Sequence, residues 1–163
     1  VSGRTFIQHP KQDQESLCGM WRELIQSISD DFEFSQGASE QSLSKAESTL
    51  GLILPTELRK LLTETNGVEQ RSAYLLFLLP VERIEKDNLE MRNSSALSFY
   101  MPFDNILFFA DAGNGDKFGF PISREGKIGK DIFAWNHEND SRSWCAPSLK
   151  LFIQWWHEGK IKW

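Results

Sequence analysis

Two carboxylates, an asparagine and two glycines crowd the stretch Asp111-Ala112-Gly113-Asn114-Gly115-Asp116. Carboxylates in a tight turn can ligate a cation, meet a basic partner, or tie down backbone amides. A calcium loop of the EF-hand kind needs oxygen ligands at alternating positions, and here Gly113 and Gly115 occupy the third and fifth, so no metal is expected. A phosphate cradle is also disfavoured. Asp116 follows the glycines and would repel an anion, and the chain continues into a strand pattern rather than a helix. Contact with a basic partner and a purely structural turn remain open.

Downstream, His137-Glu138 offers an imidazole beside a carboxylate. Histidine titrates near neutral pH, yet neighbours on a strand face opposite ways, so the two need not act together. Cys145 lacks a cysteine-hydrolase context, and Trp144 and Ala146 beside it suggest a packed thiol. Ser141 and Ser143 lack the glycines of a nucleophile elbow. No catalytic residue and no cofactor is therefore expected. Trp21, Trp135 and Trp156 fall on apolar faces and read as core. Trp144, Trp155 and Trp163 fall off them, and exposed tryptophans anchor partners. The candidate partner-binding residues are Asp111, Asn114, Asp116, Trp135, His137, Glu138 and Trp144.

These groups need a scaffold, and 163 residues suit one domain, residues 1–163, with a sizeable core. A formal charge of -5 without a Lys/Arg cluster disfavours direct nucleic-acid binding. The longest apolar run, Ala73 to Val81, is too short to span a bilayer, and Val1 to Pro10 has no apolar core for export. Cys18 and Cys145 form no CxxC pair. Reduced thiols and a cytoplasmic location are expected.

Residues 1–13 read as an arm. From Gln14, Leu17, Trp21, Leu24, Ile25 and Ile28 share one helical face. Ser39 suits an N-cap for a helix carrying Leu43, Ala46 and Leu50, which Gly51 ends. Pro55 opens a helix with Leu58, Leu61 and Leu62, stopped by Asn66-Gly67. Tyr74 to Leu79 reads as a strand, Val81 to Arg92 as a short helix or irregular segment, and Asn93 to Asp104 as a loop. Asn105 to Ala110, Phe118 to Ile122 and Asp131 to Trp135 alternate with glycines as in an antiparallel meander. A final helix from Pro147 to Glu158 presents Leu149, Phe152, Ile153 and Trp156. The fold class is α+β, with an antiparallel sheet. In such a meander the Asp111–Asp116 turn and the Trp135–Glu138 strand end lie together, and Asp111, Asp116 and Glu138 are expected to share an acidic rim.

Three segments in order carry a family resemblance. They are Gly37-Ala38-Ser39-Glu40 through Leu54-Pro55 to Asn66-Gly67, Ile106 to Asp116, and Phe133-Ala134-Trp135-Asn136-His137-Glu138 followed by Ala146-Pro147-Ser148-Leu149. Over residues 34–156 the chain resembles the SUKH superfamily, also called the Smi/Knr family. Asn136 stands where the common third motif has Asp. The resemblance implies an antiparallel sheet with helices packed on one side and no catalytic activity. It also implies one of two roles: an immunity protein that binds a cognate protein toxin, in several cases a nuclease, or a regulator of cell-wall synthesis and signalling acting through protein contacts.

Overall fold

A computed structural model of the chain describes residues 19–163. The arm expected over residues 1–13, and the helical start at Gln14 with Leu17, lie outside the described residues. The order of elements is α1 (Met20–Ile28), β1 (Phe32–Phe34), α2 (Glu40–Leu50), α3 (Thr56–Glu64), β2 (Val68–Gln70), β3 (Leu75–Leu78), α4 (Val81–Asn93), a 3-10 turn (Ser95–Leu97), β4 (Ile106–Asp111), β5 (Lys117–Pro121), β6 (Ile132–Trp135), β7 (Arg142–Ala146) and α5 (Leu149–His157). The strands form one seven-stranded sheet in chain order, with every neighbouring pair antiparallel. This is the α+β class expected, with more strands than the sequence reading found. β1, β2 and β7 lie in segments to which the sequence reading gave no element, and Trp144 belongs to edge strand β7.

Helix ends are fixed by side chains. Ser39 accepts from Ser42 N at 3.1 Å, and Gly51 closes α2 in the left-handed region at φ 65°. Ser148 accepts from Leu151 N at 3.3 Å to start α5. The Glu64 carboxylate of α3 receives the first amides of α1, from Trp21 at 2.8 Å and Arg22 at 3.1 Å. Asn66 Oδ1 accepts from Val81 N at 2.8 Å and so caps α4 from outside its own sequence. Such caps satisfy amides that the helix itself leaves free.

One face of the sheet packs under helices. Phe77, Leu107, Phe109, Phe118 and Phe120 meet Leu43, Leu61, Phe152 and Ile153 in the main core. Phe152 sits between Phe77, Phe109 and Phe118, with ring centroids 4.9–5.5 Å away. The opposite face is covered by the connection after α4. There Phe103, Ile106, Phe108 and Trp135 form a second cluster, joined by Tyr100, Met91 and Leu97.

Strand β4 is apolar on both faces because it is covered on both. Its pairing with β3 is brief, at Leu78 and Ala110, and Pro80 follows. Along the rest of that edge lies α4. Asn88, buried at 1 % exposure, donates to Phe108 O at 2.8 Å and accepts from Phe108 N at 2.9 Å. One side-chain amide thus takes the place of a strand residue. Arg92 donates to Ile106 O at 3.2 Å beside it.

Candidate partner-binding rim

The β4–β5 turn is built by its polar residues on its own backbone. Asp111 Oδ1 accepts from Gly113 N at 2.7 Å, and Asn114 Oδ1 accepts from Asp116 N at 3.0 Å. Gly113 and Gly115 take φ of 83° and 105°, a region that side chains disfavour. Gly115 is doubly constrained, since a Cβ there would stand 3.0 Å from His137 Nδ1.

His137 leaves β6 and lies over this turn, so the two motifs meet as expected. The carboxylate partner of His137 is Asp116, however, and not the adjacent Glu138. Asp116 Oδ1 accepts from His137 N at 2.9 Å and lies 2.7 Å from His137 Nδ1. With an ionised carboxylate as acceptor, Nδ1 carries the ring proton. Oδ2 accepts from Trp163 Nε1 at 2.7 Å and from Asn114 Nδ2 at 3.0 Å. Burial alone would raise the Asp116 pKa. The bonds from Trp163, His137 and Asn114 more than offset it and hold the carboxyl down at about 2.

The expected acidic rim is therefore corrected. Asp116 is 3 % exposed and works as a buried tie between the turn, the strand end and the C-terminal segment. Asp111 is half-buried and paired with Lys117 Nζ at 3.1 Å, which also reaches Asp87 at 3.5 Å. Glu138 alone of the three is exposed and without an ion pair among the described residues. Trp135 is buried, as its apolar face foretold, and cannot touch a partner directly. Asn114 is exposed beside the turn, with its side chain engaged. Trp144 is 50 % exposed and lies edge-on to Trp155 at 6.3 Å. It flanks the far edge of the sheet at β7. Trp163 stacks on Trp156 and meets Phe118 edge-on.

A second engaged carboxylate, half-buried, escaped the sequence reading. Asp140, in the β6–β7 turn at φ 59°, accepts from Trp135 Nε1 at 2.8 Å and from Met101 N at 2.6 Å. Burial opposes its ionisation, but these donors and the Arg142 guanidinium hold its pKa below the usual carboxylate range. Arg142 in turn donates to Met101 O at 2.6 Å and Pro102 O at 2.9 Å. Asn136 accepts from Glu138 N at 2.9 Å, so the amide serves the turn where a carboxylate is common. The nearest signal in the sequence was Asn139-Asp140, residues that favour turns. Nothing in spacing pointed to Met101 as the partner.

Chemically this is a pair of polar ties. An Asp–His pair is the orienting half of a nucleophilic site, but no hydroxyl or thiol hydrogen-bonds the ring among the described residues. Cys145 faces the core, donates to Ile132 O at 3.3 Å, and has its pKa pushed up by burial to about 12, so it stays a thiol at neutral pH. Among the described residues no group of His, Cys, Asp and Glu has the geometry to hold a metal, and no helix is long and apolar enough to cross a membrane.

Among curated proteins, none matches the chain. A family model described as SMI1-KNR4 cell-wall matches residues 40–153. That span runs from the first residue of α2 into α5 and includes both halves of the rim. The chain belongs to the SMI1-KNR4 family, within the SUKH superfamily.

Proposed function

We propose that this protein is a non-enzymatic binding module, an immunity protein that neutralises a cognate protein toxin by direct contact. The family includes toxin-immunity proteins and is generally a binding domain rather than a catalyst. The observation that carries the reading is how the polar groups of the rim are used. Asp116, Asp140, Asn136 and Arg142 spend their hydrogen bonds on the protein's own backbone and rings. That holds a surface in one shape in advance of contact, which favours affinity by lowering the ordering cost of binding. In this reading the toxin is occluded, a few apolar anchors supply affinity, and charges steer encounter. The partner is a protein rather than nucleic acid, and the complex forms in the cytoplasm.

The test expresses the protein encoded by the neighbouring gene alone, where toxicity is expected, and then together with this protein. Protection of the cells, with a stable complex recovered on co-purification, is the expected result. Killing that proceeds unabated despite folded protein would overturn the reading. His137→Ala should alter protection only through binding or stability. Saturable turnover of a substrate, lost in that variant while toxin affinity persists, would make the protein an enzyme. The description of the matched family model, SMI1-KNR4 cell-wall, favours a second reading: a regulatory scaffold in cell-wall or signalling control.

A further inference from the structure

The connection covering the second face of the sheet carries an unusual pairing of fixed backbone and outward apolar side chains. Phe99 is 74 % exposed and Met101 55 %, a large apolar area on two nearby residues. Tyr100 between them points inward. Its hydroxyl donates to His137 O at 2.5 Å, and its ring meets Trp135 edge-on at 5.1 Å. Met101 N is held by Asp140 and Met101 O by Arg142. The segment is thus tied at successive residues to the β6–β7 turn, while Phe99 and Met101 are left facing out.

The cations on this side of the molecule are engaged, Arg83 by Asp87 at 3.1 Å among them. The cations nearby are turned inward: Arg142 to the carbonyls of Met101 and Pro102, Arg92 to Ile106 O, and Lys117 to Asp111 and Asp87. Arg92 does lie close enough to Asp104 to feel its charge. Glu138 and Asp104 are exposed and form no ion pair among the described residues. Exposed apolar anchors beside the unpaired carboxylate of Glu138, next in sequence to the His137 that Tyr100 bonds, complement a partner with an apolar pocket bordered by Lys or Arg.

We infer that Phe99 and Met101, flanked by Glu138, form the protein-docking surface of this chain, and that the partner offers a basic-rimmed apolar pocket. The inference rests on the binding-module reading above but not on the partner being a toxin. An anionic membrane is disfavoured, because the same carboxylates would be repelled by it.

The first test measures binding kinetics against the protein domain encoded by the neighbouring gene. Phe99→Ala with Met101→Ala should weaken affinity by about 30-fold or more, mainly through faster dissociation. Glu138→Lys should slow association several-fold at low salt, an effect that closes as salt is raised. Ile53→Ala removes a side chain 81 % exposed in the α2–α3 connection and should change nothing. All these side chains are exposed, so unchanged melting curves are expected and show that each variant folds. Full affinity in the double variant, or an equal loss in Ile53→Ala, overturns the inference.

If the wild-type protein does not bind that domain, the immunity reading fails by itself. The surface is then judged with a displayed library of random peptides. Selected peptides should combine Lys or Arg with an aromatic or aliphatic residue and lose binding to the Phe99→Ala, Met101→Ala variant. Peptides that bind the variant equally, no selection at all, or attachment to anionic vesicles that depends on Phe99 would each overturn the proposal.

Discussion

The two faces of the sheet are closed by different physics. Under α2, α3 and α5 the contact is almost wholly apolar, with Phe152 of α5 wedged between Phe77, Phe109 and Phe118. On the other face a connection whose only helical element is one 3-10 turn is laid over Phe108 and Trp135. It is fixed there by directed bonds to the Asp140 carboxylate and the His137 carbonyl and from the Arg142 guanidinium. Apolar packing is non-directional and tolerates relaxation. A hydrogen-bonded cover depends on each donor and acceptor, and losing one frees the segment that it holds. The first face therefore sets global stability, and the second sets the shape of the surface shown to partners.

The strongest test of this division is Phe152→Ala, which should cost about 3–5 kcal/mol of unfolding free energy. Urea denaturation measures it, and the loss should appear across the whole molecule. A cost confined to α5 would break the comparison.

Asp140→Ala should cost about 1–3 kcal/mol, because it leaves the part-buried Trp135 indole N–H without its acceptor and releases the Met101 amide to water. Hydrogen exchange should show faster opening of the segment from Phe99 to Asp104, with the β4 and β5 amides less affected. Uniform acceleration would mean that the two faces are one cooperative unit.

Asp116→Asn probes the tie between turn and tail. The bonds from Trp163, His137 and Asn114 hold the folded carboxyl down at about 2, below its ordinary 3.8, so the folded state favours the ionised form. The stabilisation is complete above the unfolded pKa and is lost as pH falls through the folded one. The difference from 3.8 to about 2 corresponds to about 2 kcal/mol. The wild-type advantage should therefore be full above pH 5 and shrink by that amount towards pH 2, as followed by denaturation at a series of pH values. A gap independent of pH would remove the electrostatic account.

Glu138→Gln should shift stability by no more than about 0.5 kcal/mol, as expected of an exposed side chain without partners. A larger shift in thermal melting would place Glu138 in the cover rather than on the docking surface.

Legibility in the sequence follows the same division. Strands β4 to β6 announce themselves as short apolar runs bounded by glycines, and helix α5 because its apolar period matches its geometry. Helix α4 read ambiguously because Asp87 and Asn88 interrupt its buried face, and Asn88 is there to bond a strand edge. β1 and β2 are three residues each, too short to show alternation. The β7 pattern is confused by exposed Trp144 ahead of buried Cys145 and Ala146. At the rim the glycine turn could be read, as could its meeting with the strand end. The burial of Asp116 could not, since it depends on His137 and Trp163 arriving from distant parts of the chain. The role of Asp140 was hidden likewise, because its partner Met101 lies on a segment without periodicity.

Asn88 has a bearing on how this protein fails. Ile106-Leu107-Phe108-Phe109-Ala110 is uncharged, free of proline and rich in strand formers, the composition that stacks into intermolecular cross-β. Half of its edge has no neighbouring strand. By occupying both the N–H and C=O of Phe108, the Asn88 amide denies another chain its first two hydrogen bonds. An event that lifts α4 without unfolding the sheet would expose that edge to a second molecule. The hazard is self-association of a nearly native protein, and its rate is set by how often one helix detaches.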